Sequence, residues 1–254
     1  MDALFPLLSP VSFFLACFIA LCAGFVKGVV GFAMPLVFVS GLTLFMSPEL
    51  ALAGLILPTL VTNLFQSLRQ GVAAAWGSVQ SFWIFLVTGG VMLFVTAQFV
   101  RQLPKYVLEL AIGLPVVTFV TLQLLGVRLT LPSRTAVTEV LAGLVGGFMG
   151  GIAAIWGPPT VMYLTAVNTS KRDQMRIQGV IYSAGAVVLL IAHLGSGVLR
   201  AETIPFSLAL ILPALAGMYA GTRIADRIDQ QMFRRATLLV LFIAGLNLVR
   251  RGLM

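Results

Sequence analysis

One cation lies deep in apolar sequence. Lys27 separates an uncharged run of 24 residues (3–26) from an uncharged run of 21 residues (28–48). A charge at membrane depth costs at least about 2.5–3.5 kcal/mol on insertion scales, so such a residue lies at a helix end, has a partner or lines a cavity. In a cavity its ammonium group would attract an anion. At a membrane surface it would only mark the topology of the chain. The sequence leaves both interpretations open.

Lys27 also lies in the first of two glycine-rich segments that end in proline. They read GFVKGVVGFAMP (Gly24–Pro35) and GLVGGFMGGIAAIWGPP (Gly143–Pro159). Breaks at matching places in two halves of a membrane protein indicate a transporter binding site. The N–H groups and the positive dipole end of the half-helix after each break suit an anion. We therefore expect the two breaks to meet near the membrane midplane.

The glycines have a second, compatible interpretation, since small residues at a spacing of four permit close helix packing. As binding groups, the candidates in the two segments are Lys27, Gly28, Gly31, Pro35, Gly151, Trp156, Gly157 and Pro158.

Polar residues recur on the helix that follows each break. Asn63 and Gln66 follow the first break, and Gln178, Tyr182 and Ser183 follow the second. Polar side chains at helical spacing inside an apolar segment face the interior of a membrane bundle. We predict that these five residues also bind substrate.

The only histidine, His193, is either a neutral imidazole that bonds a neighbouring helix or a proton relay. Cys17 and Cys22 are too few and too close for a disulfide framework or a metal cage. We predict no cofactor and no metal site. Glu139 is interpreted as a solvated residue at the start of a helix.

All of these residues lie in segments that the sequence predicts to be membrane helices. The chain is 59% hydrophobic and 9% charged, with a mean hydropathy of +1.06, whereas soluble domains are about 25% charged. Most uncharged runs match the roughly 17–25 residues of a membrane-spanning helix. The sequence predicts an all-α, polytopic bundle of about 8–10 transmembrane segments, with one helix near 78–100 and a retained first helix at Leu4–Val26. The net charge of +8 reflects basic residues that flank apolar runs, so it indicates topology and not nucleic-acid binding.

The membrane domain divides into two halves at a polar linker. The predicted halves are residues 1–127 and 137–254, joined by residues 128–136. An offset of 123 residues aligns Gly24 with Gly147 and Pro35 with Pro158. These matches favour an internal duplication, although two glycine-rich segments can also match by coincidence.

Basic residues crowd two loops of the second half, at 171–176 and 223–235, and predict that both loops are cytoplasmic. Two topologies remain open. Five segments in each half give an inverted repeat, whereas eight spans in total give a parallel repeat. The loop Arg101–Lys105 decides between them, because it is extracytoplasmic only in the first.

The paired segments, the basic loop NTSKRDQMR (168–176) and the segment Gly217–Ala236 resemble the TauE/SafE sulfite exporter family of membrane permeases over about residues 10–250. The resemblance implies a multi-pass carrier of the bacterial inner membrane for sulfur-containing anions such as sulfite, thiosulfate or organosulfonates. The resemblance does not establish a binding role for Lys27. Gly150 occupies the equivalent position of the second half, so the lysine is not a feature of the duplicated unit.

The leading hypothesis is a secondary transporter of small anions, without a nucleotide-binding motif. Its partners would be the anion and the lipid bilayer; a homo-oligomer stays open. An anion channel is the closest alternative. An intramembrane enzyme needs a nucleophile and a base on facing helices, and HLGSG at 193–197 is the only segment that suggests one. We predict that the protein is not an enzyme.

Overall fold

The structure is a computed structural model that describes residues 9–99, 105–125, 131, 133–153, 156–195 and 198–254. These residues form α-helices and no strand, which confirms the all-helical prediction. The helices are α1 (Pro10–Val30), α2 (Met34–Leu42), α3 (Pro48–Leu68), α4 (Val72–Ser81), α5 (Trp83–Phe99), α6 (Lys105–Leu124), α7 (Ala136–Ala153), α8 (Gly157–Ala166), α9 (Lys171–Gly195), α10 (Ile204–Ala209), α11 (Ile211–Arg227) and α12 (Gln230–Leu253).

Within the described ranges, five helices are long and apolar enough to cross a membrane, or six if the bent pair α4–α5 forms one span. They expose large apolar side chains, such as Phe14, Phe18 and Ile243. Such surface is unfavourable in water by about 25 cal/mol per Å² but suits lipid. The protein is therefore a multi-pass membrane protein. The total of eight to ten segments stays a prediction, because this count covers the described residues alone.

The bent pair differs from the single helix predicted near 78–100. The chain turns by 72° between Val72–Ser81 and Trp83–Thr96. Phe82 lies at the turn and is buried, with φ of −113° and ψ of 23°. No charge, glycine or proline marks this position, so the uncharged run gave no signal of the bend.

The described chain divides into two compact units. The first comprises residues 1–67 and 183–229, and the second comprises residues 68–182 and 230–254. Each unit therefore combines elements of both predicted sequence halves.

In the first unit, α1 packs on α11 through glycines. A Cβ atom on Gly24 or Gly28 would collide with the backbone of α11, and one on Gly217 or Gly221 would collide with the backbone of α1. Beside this contact lies a core of fully buried side chains from α1, α2, α3, α10 and α11, which includes Phe38, Phe206 and Leu210. The glycines thus allow a helix contact too close for any side chain.

A proline inside α3 frees a carbonyl that another helix satisfies. Pro58 has no N–H to donate to the carbonyl oxygen of Gly54. The hydroxyl of Ser207, on α10, donates to that oxygen at 3.3 Å and accepts a bond from the N–H of Leu57 at 3.2 Å. This contact keeps α3 continuous through the proline.

In the second unit, α5 packs on α7 and α6 packs on α12. A Cβ atom on Gly147 would collide with the backbone at Gly89, and one on Gly143 would lie 3.0 Å from the carbonyl oxygen of Phe85. A Cβ atom on Gly113, in α6, would lie 2.9 Å from the backbone nitrogen of Val249 in α12. Close glycine contacts thus hold this unit too.

Candidate functional site

The first break is a tight three-residue connection between α1 and α2. Gly31 ends α1 in the left-handed conformation (φ 86°), and its N–H donates to the carbonyl oxygen of Lys27 at 2.7 Å. Ala33 also has a positive φ of 71°, which is rare for a residue with a Cβ atom. Met34 then begins α2, and Pro35 lies in its first turn. The connection interrupts the helical path at a position flanked by buried residues.

Lys27 lies one turn before this break and is 2% exposed. Its Nζ donates to Oγ1 of Thr62 at 2.8 Å and to Oδ1 of Asn63. Both partners are neutral oxygens on α3, and Lys27 makes no ion pair with any described residue. An ammonium carries three N–H donors, so these two bonds leave one donor for a ligand.

The residues that hold the lysine belong to a buried polar face of α3. Its members are at most 5% exposed and are Thr59, Thr62, Asn63, Gln66 and Ser67. The hydroxyl of Thr62 donates to the carbonyl oxygen of Pro58 at 2.7 Å, so its lone pairs remain for Lys27. Nε2 of Gln66 donates to the carbonyl oxygen of Gly31 at 3.0 Å. This polar face therefore fixes both the lysine and the break.

The structure brings together four of the residues predicted from the first half, namely Lys27, Gly31, Asn63 and Gln66. Gly28 instead lies against α11, where a Cβ atom would stand 2.9 Å from Cα of Gly221. Thr62 was not among the residues predicted to form the site. Its spacing of three and four residues from Thr59 and Gln66 was the signal that could have identified it.

The second break belongs to the second unit. Residues 154 and 155 lie outside the described residues, and Gly151 lies in the last turn of α7. Trp156 caps α8, and its carbonyl oxygen accepts a bond from Oγ1 of Thr160 at 2.8 Å. The indole of Trp156 lies against Gly150, with Cε3 at 3.1 Å from the position of a Cβ atom there. An aromatic ring thus occupies the space beside the glycine that aligns with Lys27.

The start of α8 offers few backbone donors. Gly157 is followed by Pro158 and Pro159, and proline has no N–H. The first turn of α2 contains a single proline, Pro35. The N-terminus of α8 therefore has fewer N–H donors for an anion than the N-terminus of α2.

One face of α9 carries polar side chains at a spacing of four residues: Gln174, Gln178 and Tyr182. The hydroxyl of Tyr182 donates to the carbonyl oxygen of Gly157 at 3.2 Å. Gln178 is 0% exposed, and neither its Oε1 nor its Nε2 has a hydrogen-bond partner within the described chain. Nε2 of Gln174 is likewise buried and lacks such a partner. Because buried amides are normally bonded, this face has unused capacity for a ligand.

Two further residues of the predicted site, Ser183 and His193, also lie in α9. Ser183 belongs to the first unit, and its buried hydroxyl has no partner among the described residues. His193 lies in α9, but its side chain is outside the described part of the structure. Its two interpretations therefore stay predictions.

The starts of α9 and α12 lie side by side in the second unit. The N–H of Lys171 donates to Oε1 of Gln230 at 2.7 Å, and Nε2 of Gln230 donates to the carbonyl oxygen of Thr169 at 3.5 Å. The loop Arg101–Lys105, which distinguishes the two topologies, lies outside the described residues except for its last residue. Its membrane side stays open.

Comparisons with curated proteins and with solved structures give no match. Residues 16–248 match the family described as Sulfite exporter TauE/SafE, which spans nearly the whole chain. This match agrees with the apolar spans and with the resemblance in the glycine-rich segments. The chain therefore belongs to the TauE/SafE sulfite exporter family of membrane transporters.

Proposed function

We propose that this protein is a secondary transporter of small sulfur-containing anions, such as sulfite, thiosulfate or an organosulfonate, in the bacterial inner membrane. Membership of a family of sulfite exporters supports the substrate class. The observation that carries the proposal is the environment of Lys27, a buried amine whose described partners are both neutral.

Charge balance at Lys27 favours an anion as the ligand. A cation buried among neutral groups loses hydration, and only an opposite charge or good hydrogen bonds offset that loss. The oxygens of Thr62 and Asn63 supply two such bonds but no negative charge. An anion on the third N–H donor would supply both a bond and the charge, typically worth about 1.5–3 kcal/mol.

The site also suits a ligand that must leave again. Lys27 retains its two α3 partners when the anion departs, so the empty site keeps most of its hydrogen bonds. The binding-competent position of the ammonium is fixed in advance, which lowers the ordering cost of binding. Lys27 is the ligand-binding cation in this proposal.

The second unit supplies a neutral counterpart. Gln178 offers a buried donor and a buried acceptor, and Tyr182 fixes the start of α8 through Gly157. We assign Gln178 to substrate binding as a neutral group, together with Trp156 and Pro158, the apolar residues that flank Gly157. This assignment rests on its unused amide atoms.

The internal packing of each unit supports an internal duplication. Gly24 of α1 packs on α11, and Gly147 of α7, 123 residues later, packs on α5. The corresponding contacts on the partner helices lie at Gly217 and Gly89, which are 128 residues apart and thus near the same offset. In this proposal α1 pairs with α11 as α7 pairs with α5, and the two copies have diverged at Lys27 and Gly150.

The proposal also includes the orientation of the protein in the membrane and the energy source of transport. The basic segments at 171–176 and 223–235, which the structure places mostly at the ends of α9, α11 and α12 and not in loops, face the cytoplasm. An ion gradient or a counter-anion drives transport. An intramembrane enzyme has no supporting observation among the described residues.

Flux measurements on the purified protein in liposomes test this function. We expect saturable uptake of sulfite, thiosulfate or sulfoacetate that exceeds uptake of sulfate, and acceleration by substrate on the opposite side. Flux without saturation and without counterflow would identify an anion channel. The absence of flux for every sulfur-containing anion, in correctly folded protein, would contradict the proposal.

A further inference from the structure

The second unit contains a cavity that the proposed transport site does not use. It has a volume of about 500 Å³ and lies among α4, the segment before α7 and the first turns of α9. Its charged lining groups are Arg134, Arg176 and Asp173, and its hydroxyl groups are those of Ser78, Ser81 and Thr169. The lining thus has two cations against one carboxylate.

Arg134 is held in place on two sides. Its Nη2 donates to both carboxylate oxygens of Glu139, at 3.1 and 3.3 Å, and its guanidinium carbon lies 3.9 Å above the ring centre of Phe82. Glu139 is only 3% exposed and does not line the cavity, so it is not the solvated residue that the sequence suggested. Arg134 itself lines the cavity. A guanidinium held in this way presents a planar fork of N–H donors whose geometry matches an oxyanion.

Arg176 is the second cation of the cavity lining. It donates from Nε to Oγ of Ser78 at 2.8 Å, pairs with Asp173 at 2.8 Å and bonds Gln70. These contacts fix its position, and the carboxylate of Asp173 offsets its charge. Ser81 and Gly77, which also line the cavity, lie on α4.

From this arrangement we infer that the cavity is a second anion site, which takes an oxyanion head group such as a phosphate, sulfonate or carboxylate between Arg134 and the hydroxyl of Ser81 on α4. The inference goes beyond the proposed transport function and does not depend on it.

The ligand of this cavity has two sources with the same chemistry. One is a free anion in solution. The other is the head group of an anionic lipid, since α4 exposes Val72 and Trp76, and tryptophan is typical of the membrane interface.

The test uses the purified full chain carrying Lys27→Gln, which removes the proposed transport site from the measurement. Thermal unfolding is followed in a zwitterionic detergent at constant ionic strength while inorganic phosphate or methanesulfonate is titrated. A parallel arm compares nanodiscs of phosphatidylcholine with nanodiscs that contain phosphatidylglycerol.

Two variants perturb the cavity in different ways. Arg134→Gln removes the fixed cation. Gly77→Leu fills the cavity, because a Cβ atom at Gly77 meets nothing within 4 Å, and leucine favours the helix. The matched controls are Arg250→Gln, on an exposed residue, and Gly90→Leu, at a second glycine with open space around it.

We expect stabilisation that saturates in at least one arm, with affinity roughly tenfold or more weaker in both cavity variants and unchanged in both controls. Saturation with phosphate or methanesulfonate in detergent identifies a solute site; saturation only with phosphatidylglycerol identifies a lipid site. Absence of saturation in both arms overturns the inference. So does equal affinity in Gly77→Leu, a variant that keeps Arg134 and is expected to fold. Failure of Lys27→Gln to change transport would contradict the proposed function but would leave this result intact.

Discussion

Lys27 on α1 and Thr62 on α3 form a directed pair: Nζ donates to Oγ1 at 2.8 Å, and that hydroxyl donates onward to the carbonyl oxygen of Pro58. The proton of Thr62 is thereby committed to the backbone, so its oxygen can only accept from the lysine. The pair orients a buried amine and supplies no negative charge to it.

Lys27→Gln removes the buried positive charge but keeps a polar side chain. Because a charge-assisted bond is worth about 1.5–3 kcal/mol, anion affinity should fall by roughly 10–100-fold with little change in expression. Lys27→Arg should be only partly tolerated, since the planar guanidinium needs a different geometry. Uptake kinetics in liposomes measure the effect, with Arg250→Gln as the control. Unchanged uptake in Lys27→Gln would return this lysine to a role in topology.

Thr62→Val keeps the shape of the side chain and removes the acceptor of Lys27. We expect a loss of about 1–3 kcal/mol in stability, because a buried donor loses its partner. The matched control is Thr59→Val on the same helix face, where Oγ1 has no partner among the described residues and its removal should be neutral or stabilising. Thermal unfolding in detergent measures both. Equal effects of the two substitutions would refute the role of Thr62 as the lysine's acceptor.

Gly31→Ala tests the geometry of the first break. A residue with a Cβ atom at φ of 86° carries a cost of about 1–2 kcal/mol, so the unfolding temperature should fall. Ala33→Gly, two residues later at φ of 71°, should have the opposite sign, because glycine relieves the same penalty. A stabilising Gly31→Ala would mean that the chain does not form this connection.

The candidate site was predictable where chemistry is local. Lys27 was found because a charge is rare in so apolar a segment, and Asn63 and Gln66 were found from their spacing. Thr62 was missed, since threonine is common in membrane helices and only its contact with a residue 35 positions away distinguishes it.

Long-range partners were the least predictable part of the fold. The glycines of α1 indicated close packing, but nothing in their spacing identifies α11 as the partner. Burial of Glu139 likewise depends on Arg134, whose side chain reaches it from outside α7. Pairings of this kind are decided by complementary surfaces in three dimensions, which the periodicity of a single segment does not record.

Orientation in the membrane is tested by labelling single cysteines. In a variant without Cys17 and Cys22, Asp173→Cys and Asp229→Cys should resist an impermeant thiol reagent added to intact cells, because the basic segments that contain them are expected in the cytoplasm. Both should react once the cells are opened, which is the control for accessibility. Labelling in intact cells would reverse the proposed orientation.

Gln178→Leu separates a binding role from a structural one. Both amide atoms of Gln178 are buried without a partner in the described chain, so leucine of similar volume removes a desolvation cost of about 1–3 kcal/mol. If the amide binds substrate, the variant should be more stable without ligand and transport less well, with the Michaelis constant raised several-fold. A site that trades stability for binding behaves in this way. Gln230→Leu is the control, because Gln230 is exposed and bonds only Lys171 and Thr169 in the described chain. Gln178→Leu with unchanged transport and raised stability would remove this residue from the binding site, and a loss of stability would show that its amide has a structural partner.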